Sequence, residues 1–270
     1  MWTRLARSNL QNFSFRLAFG RFWPTRLMGR RVAVLVLLAL VASGCAVLDG
    51  SGRDVSGYPD DDLGVPVEVY KSTAQRDLHL HLFNPEPTNS TAGAVLFFHG
   101  GGFGSTRVEQ FERQAEAVAD VGMVGIVVEY RVIPEGTSRS DAIDDGTDAV
   151  AYVAANADRL SIDVDRIAVA GSSAGGALAV EASLDADALA LFNPAVGSSS
   201  SAFLRGQPTV VFHSRQDTIV PFSSAEGFCN AAQDCTMVAF DDGDHGFFND
   251  DPAFTETTEQ TIEFLQALGW

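Results

Sequence analysis

Gly171-Ser172-Ser173-Ala174-Gly175 sets a serine between small neighbours, a spacing that lets the chain turn sharply and project a hydroxyl outward. The apolar stretch Ile167 to Ala170 precedes it, and a helix-forming stretch from Ala174 follows. In that strand-turn-helix setting Ser173 is a candidate nucleophile, and the amide of Ala174 a candidate donor to a developing oxyanion. A second chemical element, His99-Gly100-Gly101-Gly102-Phe103, follows the run AVLFF. Three consecutive glycines let the backbone approach a substrate closely, so the amides of Gly101 and Gly102 are further candidate donors. A glycine-rich loop can also cradle phosphate, but no Gly-Lys-Ser/Thr follows this one, which excludes a P-loop.

The elements that must position these residues alternate along the chain. Val65 to Tyr70 and Leu78 to Phe83 read as antiparallel strands, with buried strands at Ala94 to Phe98, Val124 to Tyr130, Arg166 to Ala170, Ala188 to Phe192, Thr209 to His213 and Thr236 to Phe240. Helices are expected at Phe111 to Val121, Ser140 to Asn156, from Ala174, around Ser223 to Ala232, and at Glu256 to Leu268. Short continuous apolar strands separated by helices predict an α/β protein with one doubly wound, mostly parallel sheet and an antiparallel N-terminal edge. No internal repeat and no second folded domain is visible.

Length and composition agree with that reading. The 270 residues are 46% hydrophobic with three Cys, enough for one large α/β core and unlike a disordered, collagenous or disulfide-dense chain. The formal net charge of −17 has the wrong sign for neutralising phosphates, so nucleic acid is not an expected partner. The charge is also uneven. Residues 1–44 hold seven Arg and no acidic residue, which leaves 11 basic against 35 acidic residues, a net of −24, on residues 45–270. Such an excess of acid, with Lys71 as the only lysine, points to saline surroundings that screen self-repulsion.

Arg30-Arg31 precede the apolar run Val32 to Ala42, shorter than the ~20 residues of a membrane-spanning helix but suited to a signal-peptide core. Ala42-Ser43-Gly44-Cys45 resembles a lipobox, which implies cleavage before Cys45 and its lipidation, with secretion or an uncleaved anchor as alternatives. Residues 1–44 are therefore expected to be a signal peptide. A start at Met28 would make residues 1–27 an over-called beginning, and the Arg pair allows a twin-arginine reading. Residues 45–64, rich in Gly, Ser and Asp, are expected to form a flexible tether, with the folded domain over 65–270. Outside the cytosol Cys229 and Cys235 can form a disulfide; the alternative is a pair of buried thiols.

HGGGF, EYRVIPEG (129–136), AIDDGTDAV (142–150) and DRIAVAGSSAGG (165–176), taken in order, resemble the α/β-hydrolase fold. Within it they resemble the hormone-sensitive-lipase-like carboxylesterases and related small carbohydrate-ester esterases. Ser172 stands where the lipase-like group usually has Asp, and HSRQDTIVPF (213–222) is closer to the dienelactone-hydrolase and feruloyl-esterase branches. The resemblance implies a triad in the order Ser173, Asp217, His245, with His245 taking the Ser173 proton and Asp217 orienting the ring. Asp244 adjoins His245, but neighbouring side chains rarely face one another. His99 and His213 are expected in structural roles, and Asp144 and Asp145 as supports for Arg131 or a helix terminus. His79 and His81 alternate along an edge strand, where a polar exposed face competes with a metal site. Asp241, Asp242, Asp244, Asp250 and Asp251 lack EF-hand spacing.

The function so implied is hydrolysis of carboxylic esters through an acyl-enzyme, with no metal or organic cofactor. Lipase-like relatives carry a cap, for which Asn193 to Pro208 leaves little material. An open cleft is therefore expected, with Phe103, Phe247 and Phe248 near its walls unless they simply pack in the core. Such a cleft suits short-chain esters, or accessible esters on a larger molecule such as an acetylated or feruloylated polysaccharide. The contrasting reading is a non-catalytic surface lipoprotein of the same fold. Nothing in the sequence sets the oligomeric state.

Overall fold

A computed structural model describes residues 63–87 and 90–270. Its eight strands are β1 (Val67–Ser72), β2 (Asp77–Phe83), β3 (Ala92–Phe98), β4 (Val124–Val128), β5 (Ile162–Ser172), β6 (Ala188–Phe192), β7 (Thr209–Ser214) and β8 (Cys235–Phe240). They form one sheet in the order β1-β2-β4-β3-β5-β6-β7-β8. β2 runs antiparallel to both β1 and β4, and every other pairing is parallel. The helices are α1 (Glu112–Asp120), α2 (Arg139–Ala155), α3 (Ala157–Leu160), α4 (Ser173–Ala182), α5 (Phe222–Ala231) and α6 (Ala253–Ala267).

Strand periodicity divides the core in two, because successive side chains point to opposite faces. Leu96, Ile126, Val169 and Leu191 pack beneath α2, α4 and α5, where Leu178 and Phe228 are fully buried. Val95, Phe97, Ala168 and Phe212 pack on the other face against α1 and α6, with Phe111 and Leu265. Both faces being covered is why the central strands read as unbroken apolar runs.

The β5 strand starts four residues before the predicted Arg166. Ala92 pairs with Ile162 across a register shift, and the intervening Asp163, Val164, Asp165 and Arg166 are not buried. Residues 163–166 fall inside the register shift between the Ile162 and Ile167 pairs, so this half of the strand is an exposed bulge that carries no buried apolar run. The predicted loop Asn193 to Pro208 contains a 3-10 turn, Ser198–Phe203, lying against α4 and α5.

Register sets up the site. Phe98 lies level with both Val128 and Gly171, Ser172 with Phe192, Phe192 with Phe212, and Ser214 with Phe240. The residues that leave these strands, from His99, Ser173, Asn193, Arg215 and Asp241 onward, therefore emerge along one edge of the sheet.

Candidate active site

β5 passes into α4 without a loop, and the turn falls on Ser173, whose φ of 51° lies in the left-handed region. A side chain there costs about 1–3 kcal/mol and persists only where its surroundings hold it. Two hydrogen bonds do so: the Ser173 amide donates to the Asn193 carbonyl at 3.2 Å, and the Ala195 amide donates to the Ser173 carbonyl at 2.8 Å. The helix also sits tightly on β3. A Cβ added to Gly175 would lie 2.2 Å from the carbonyl oxygens of both Phe98 and His99. Ala174 is in the first turn of α4, where amides lack helical acceptors and are available to a ligand.

The loop after β3 brings the other predicted donors to the same edge. Gly101 and Gly102 are exposed, with φ of 111° and 64°, and the Gly104 amide closes a turn on the Gly101 carbonyl at 2.9 Å. Gln110, which the sequence reading passed over, joins this loop to the elbow. Its Oε1 accepts the Gly100 amide at 2.7 Å and the Ser172 hydroxyl at 2.9 Å. His99 is fully buried, stacked on Tyr130, and its Nδ1 donates to the Gly100 carbonyl at 2.6 Å. Burial holds its pKa down at about 4, so it is neutral.

Of the two aspartates near His245, Asp217 meets the ring. His245 Nδ1 donates to Asp217 Oδ2 at 2.7 Å, and Asp217 Oδ1 accepts the amides of Ile219 and Val220 at 2.8 and 2.9 Å. A carboxylate so held fixes the tautomer that leaves Nε2 free to accept a proton. Asp244 instead caps its own turn, accepting the Gly246 amide at 2.8 Å. His213 is also buried beside the acid, but its Nδ1 donates to the Ser214 carbonyl at 2.9 Å, and desolvation lowers its pKa.

Asn193 is the second residue that sequence reasoning missed. Fully buried at the end of β6, with φ of 40°, it donates from Nδ2 to the His245 carbonyl at 2.7 Å. Its Oδ1 accepts the Ser214 amide at 3.2 Å. With the Ser173 amide on its carbonyl, it touches the elbow, the acid strand and the histidine loop. Only its place at a strand end, before a proline, signalled it in the sequence.

Other predicted residues fall elsewhere. Phe103 is buried, edge-on to Tyr130, with the Arg139 guanidinium 5.5 Å above its ring. Phe248 does not wall a cleft: it is buried and packs with Phe111 and Phe192 in the core, whereas Phe247 packs on Phe240 and lines a surface cleft. His79 and His81 are not on an exposed edge face. β2 is covered by β1, and both rings meet the buried Glu129 carboxylate, at 3.2 and 3.1 Å, with Arg76 also upon it. Asp145, fully buried, supports Arg131 at 2.7 Å and Lys71 at 2.7 Å. The five loop aspartates line a surface cleft of about 550 Å³ together with Phe240 and Phe247. Cys229 and Cys235 form a disulfide with a Cα–Cα distance of 5.3 Å, tying α5 to β8. Cys45 lies outside the described residues.

A strained serine at a strand-to-helix turn, an aspartate-bound histidine and a glycine loop at one sheet edge match what known proteins of this fold carry. A family model described as alpha/beta hydrolase fold matches residues 95–197. Carboxylesterase NlhH of Mycobacterium tuberculosis is 38% identical over 102 residues, covering 37% of this chain and 31% of its own. Ethyl acetate hydrolase of Pseudomonas putida is 36% identical over 128 residues, covering 47% of this chain and 36% of its own. The chain thus matches about a third of these relatives' lengths. Among solved structures, esterase 2 of Thermogutta terrifontis phosphorylated by paraoxon superposes with a TM-score of 0.74 at 30% identity, over 79% of this chain and 97% of that one. The same esterase with propionate bound gives 0.74 at 29% identity. The chain belongs to the α/β-hydrolase fold family.

Proposed function

We propose that this chain is a serine carboxylic-ester hydrolase. The observation that carries the reading is the 2.7 Å bond from His245 Nδ1 to Asp217, on the sheet edge where the Ser173 elbow emerges. Ser173 attacks the ester carbonyl while His245 Nε2 takes its proton, then returns it to the leaving alcohol. A water activated by His245 next releases the acid from the acyl-enzyme. The amides of Gly101, Gly102 and Ala174 hold the oxyanion of each tetrahedral intermediate. Asp217 orients the ring and stabilises the imidazolium. The chemistry calls on these side chains and amides alone.

Short acyl groups suit the site best. Gly101 and Gly102 are exposed, the His245 side chain is 24% exposed, and Ile219 beside the acid is 69% exposed, so the reacting groups face solvent. Several similar proteins carry names that support this: an ethyl acetate hydrolase, an acetyl esterase, and an esterase with propionate or butyrate bound, beside one named a lipase. The lipobox-like run before Cys45 further supports an exported protein, anchored by lipid on the extracytoplasmic side of a membrane.

Labelling by a fluorophosphonate probe tests the nucleophile: wild type labels and Ser173→Ala does not. Equal labelling of both, or none of the wild type, overturns the assignment. A p-nitrophenyl ester series should give its highest kcat/KM at short acyl chains, and an optimum at long chains would refute the open site.

A further inference from the structure

We propose that Gln110 is a positioning residue that sets the spacing of the oxyanion-binding amides, by locking the glycine loop to the nucleophile elbow through one carboxamide oxygen. The inference rests on the ester-hydrolase reading above. The amides assigned to the oxyanion belong to two separate elements: Gly101 and Gly102 to the loop after β3, Ala174 to the start of α4. Donors aimed at a developing charge act only if their separation is set before the reaction, since any rearrangement during it consumes the gain. Gln110 bonds to both elements. Gly100, whose amide it accepts, leads directly into Gly101; Ser172, whose hydroxyl it accepts, leads into Ser173 and Ala174. A carboxamide oxygen has two lone pairs, and these two donors fill them.

The position of Gln110 is itself fixed. It sits in the 3-10 turn Val108–Phe111, between two fully buried anchors, Val108 and Phe111. Phe111 is stacked on Phe97 at 5.3 Å and on Phe248 at 5.7 Å, so the turn has little freedom to swing. The two segments joined by Gln110 are also in contact with each other, for a Cβ added to Gly100 would lie 2.9 Å from Ser172 Oγ. Ser172 is 1% exposed, and among the described residues Gln110 Oε1 is its hydroxyl's acceptor. Removing the carboxamide leaves a buried hydroxyl and the Gly100 amide without this partner, and the loop gains room to drift relative to α4.

The test compares Gln110→Met, which keeps the length and loses the acceptor, with Gln110→Glu, which keeps an acceptor oxygen. Gln110→Met should lower kcat about tenfold with KM within about twofold, the pattern of an interaction made in the transition state. Hydrogen exchange of the 99–104 amides should speed up in the same variant. Gln110→Glu should restore both readouts to near wild type. Ser172→Ala combined with Gln110→Met should lose little more than Gln110→Met alone, because the two share one bond. Wild-type kcat and exchange in Gln110→Met, a loss that Gln110→Glu leaves unrepaired, or multiplicative losses in the double variant would each overturn the proposal. A wild type inert to esters and to the fluorophosphonate probe would sink the hydrolase reading instead, and the exchange measurement would still decide whether Gln110 holds the loop.

Discussion

Asp244 adjoins His245 in the chain while Asp217 lies 28 residues before it, and backbone geometry separates their tasks. Asp217 is supported by two amides and faces the ring, whereas Asp244 is turned onto the Gly246 amide. Asp217→Asn should therefore lower kcat for short-chain esters by about 10³-fold or more, through loss of the correct tautomer. Asp244→Asn should stay within a few-fold; comparable losses in steady-state assays of the two variants would contradict the assignment. His99 has a measurable signature of a different kind. Its folded pKa of about 4 lies below the ordinary 6.5, so between those values the unfolded chain takes up a proton that the folded chain refuses. Stability from this group is complete above about pH 6.5 and is lost as pH falls towards 4, at up to about 1.4 kcal/mol per pH unit. Urea unfolding from pH 7 to 4.5 should show a steeper loss in wild type than in His99→Asn.

At the scale of elements, the junction of β5 and α4 is the tightest point. Gly175→Ala would drive a methyl into two backbone carbonyls at 2.2 Å, and backbone cannot rotate away as a flexible side chain could. Chemical denaturation should show a loss of about 3 kcal/mol, while Gly197→Ala, with nothing within 4 Å of the new methyl, should be near neutral. Most elements were legible because both faces of the sheet are covered: β6 spans Ala188–Phe192, as its apolar run predicts. The first half of β5 was not legible, since residues 163–166 fall in a register shift between the Ile162 and Ile167 pairs, are not buried and so add no run of buried apolar residues. For Phe247 and Phe248 the sequence left cleft wall and core packing open for a related reason. Residues next to a histidine in a loop read as cleft walls, but the 3-10 turn Phe247–Asn249 directs them into the layer beneath α6.

At the scale of the whole molecule, charge governs behaviour. Residues 45–270 carry a net of −24, and the described cations are largely absorbed locally, as Lys71 is by Asp145 and Asp148. The remaining repulsion between carboxylates is long-range and screened by salt. The melting temperature should rise by about 3 °C or more between low salt and 1 M NaCl; an unchanged or lower value would count against this. The sequence by itself determined the fold, the order of its strands and helices, and the identity of the serine elbow and glycine loop, because burial and tight turns restrict which residue types can stand there. Only the tertiary structure decided where the phenylalanines go and that Gln110 and Asn193 join the loops, and it adds to the expected Asp217 its 2.7 Å bond to His245. Those choices depend on hydrogen-bond geometry between segments up to 62 residues apart, and a chain's local pattern carries no record of such distances.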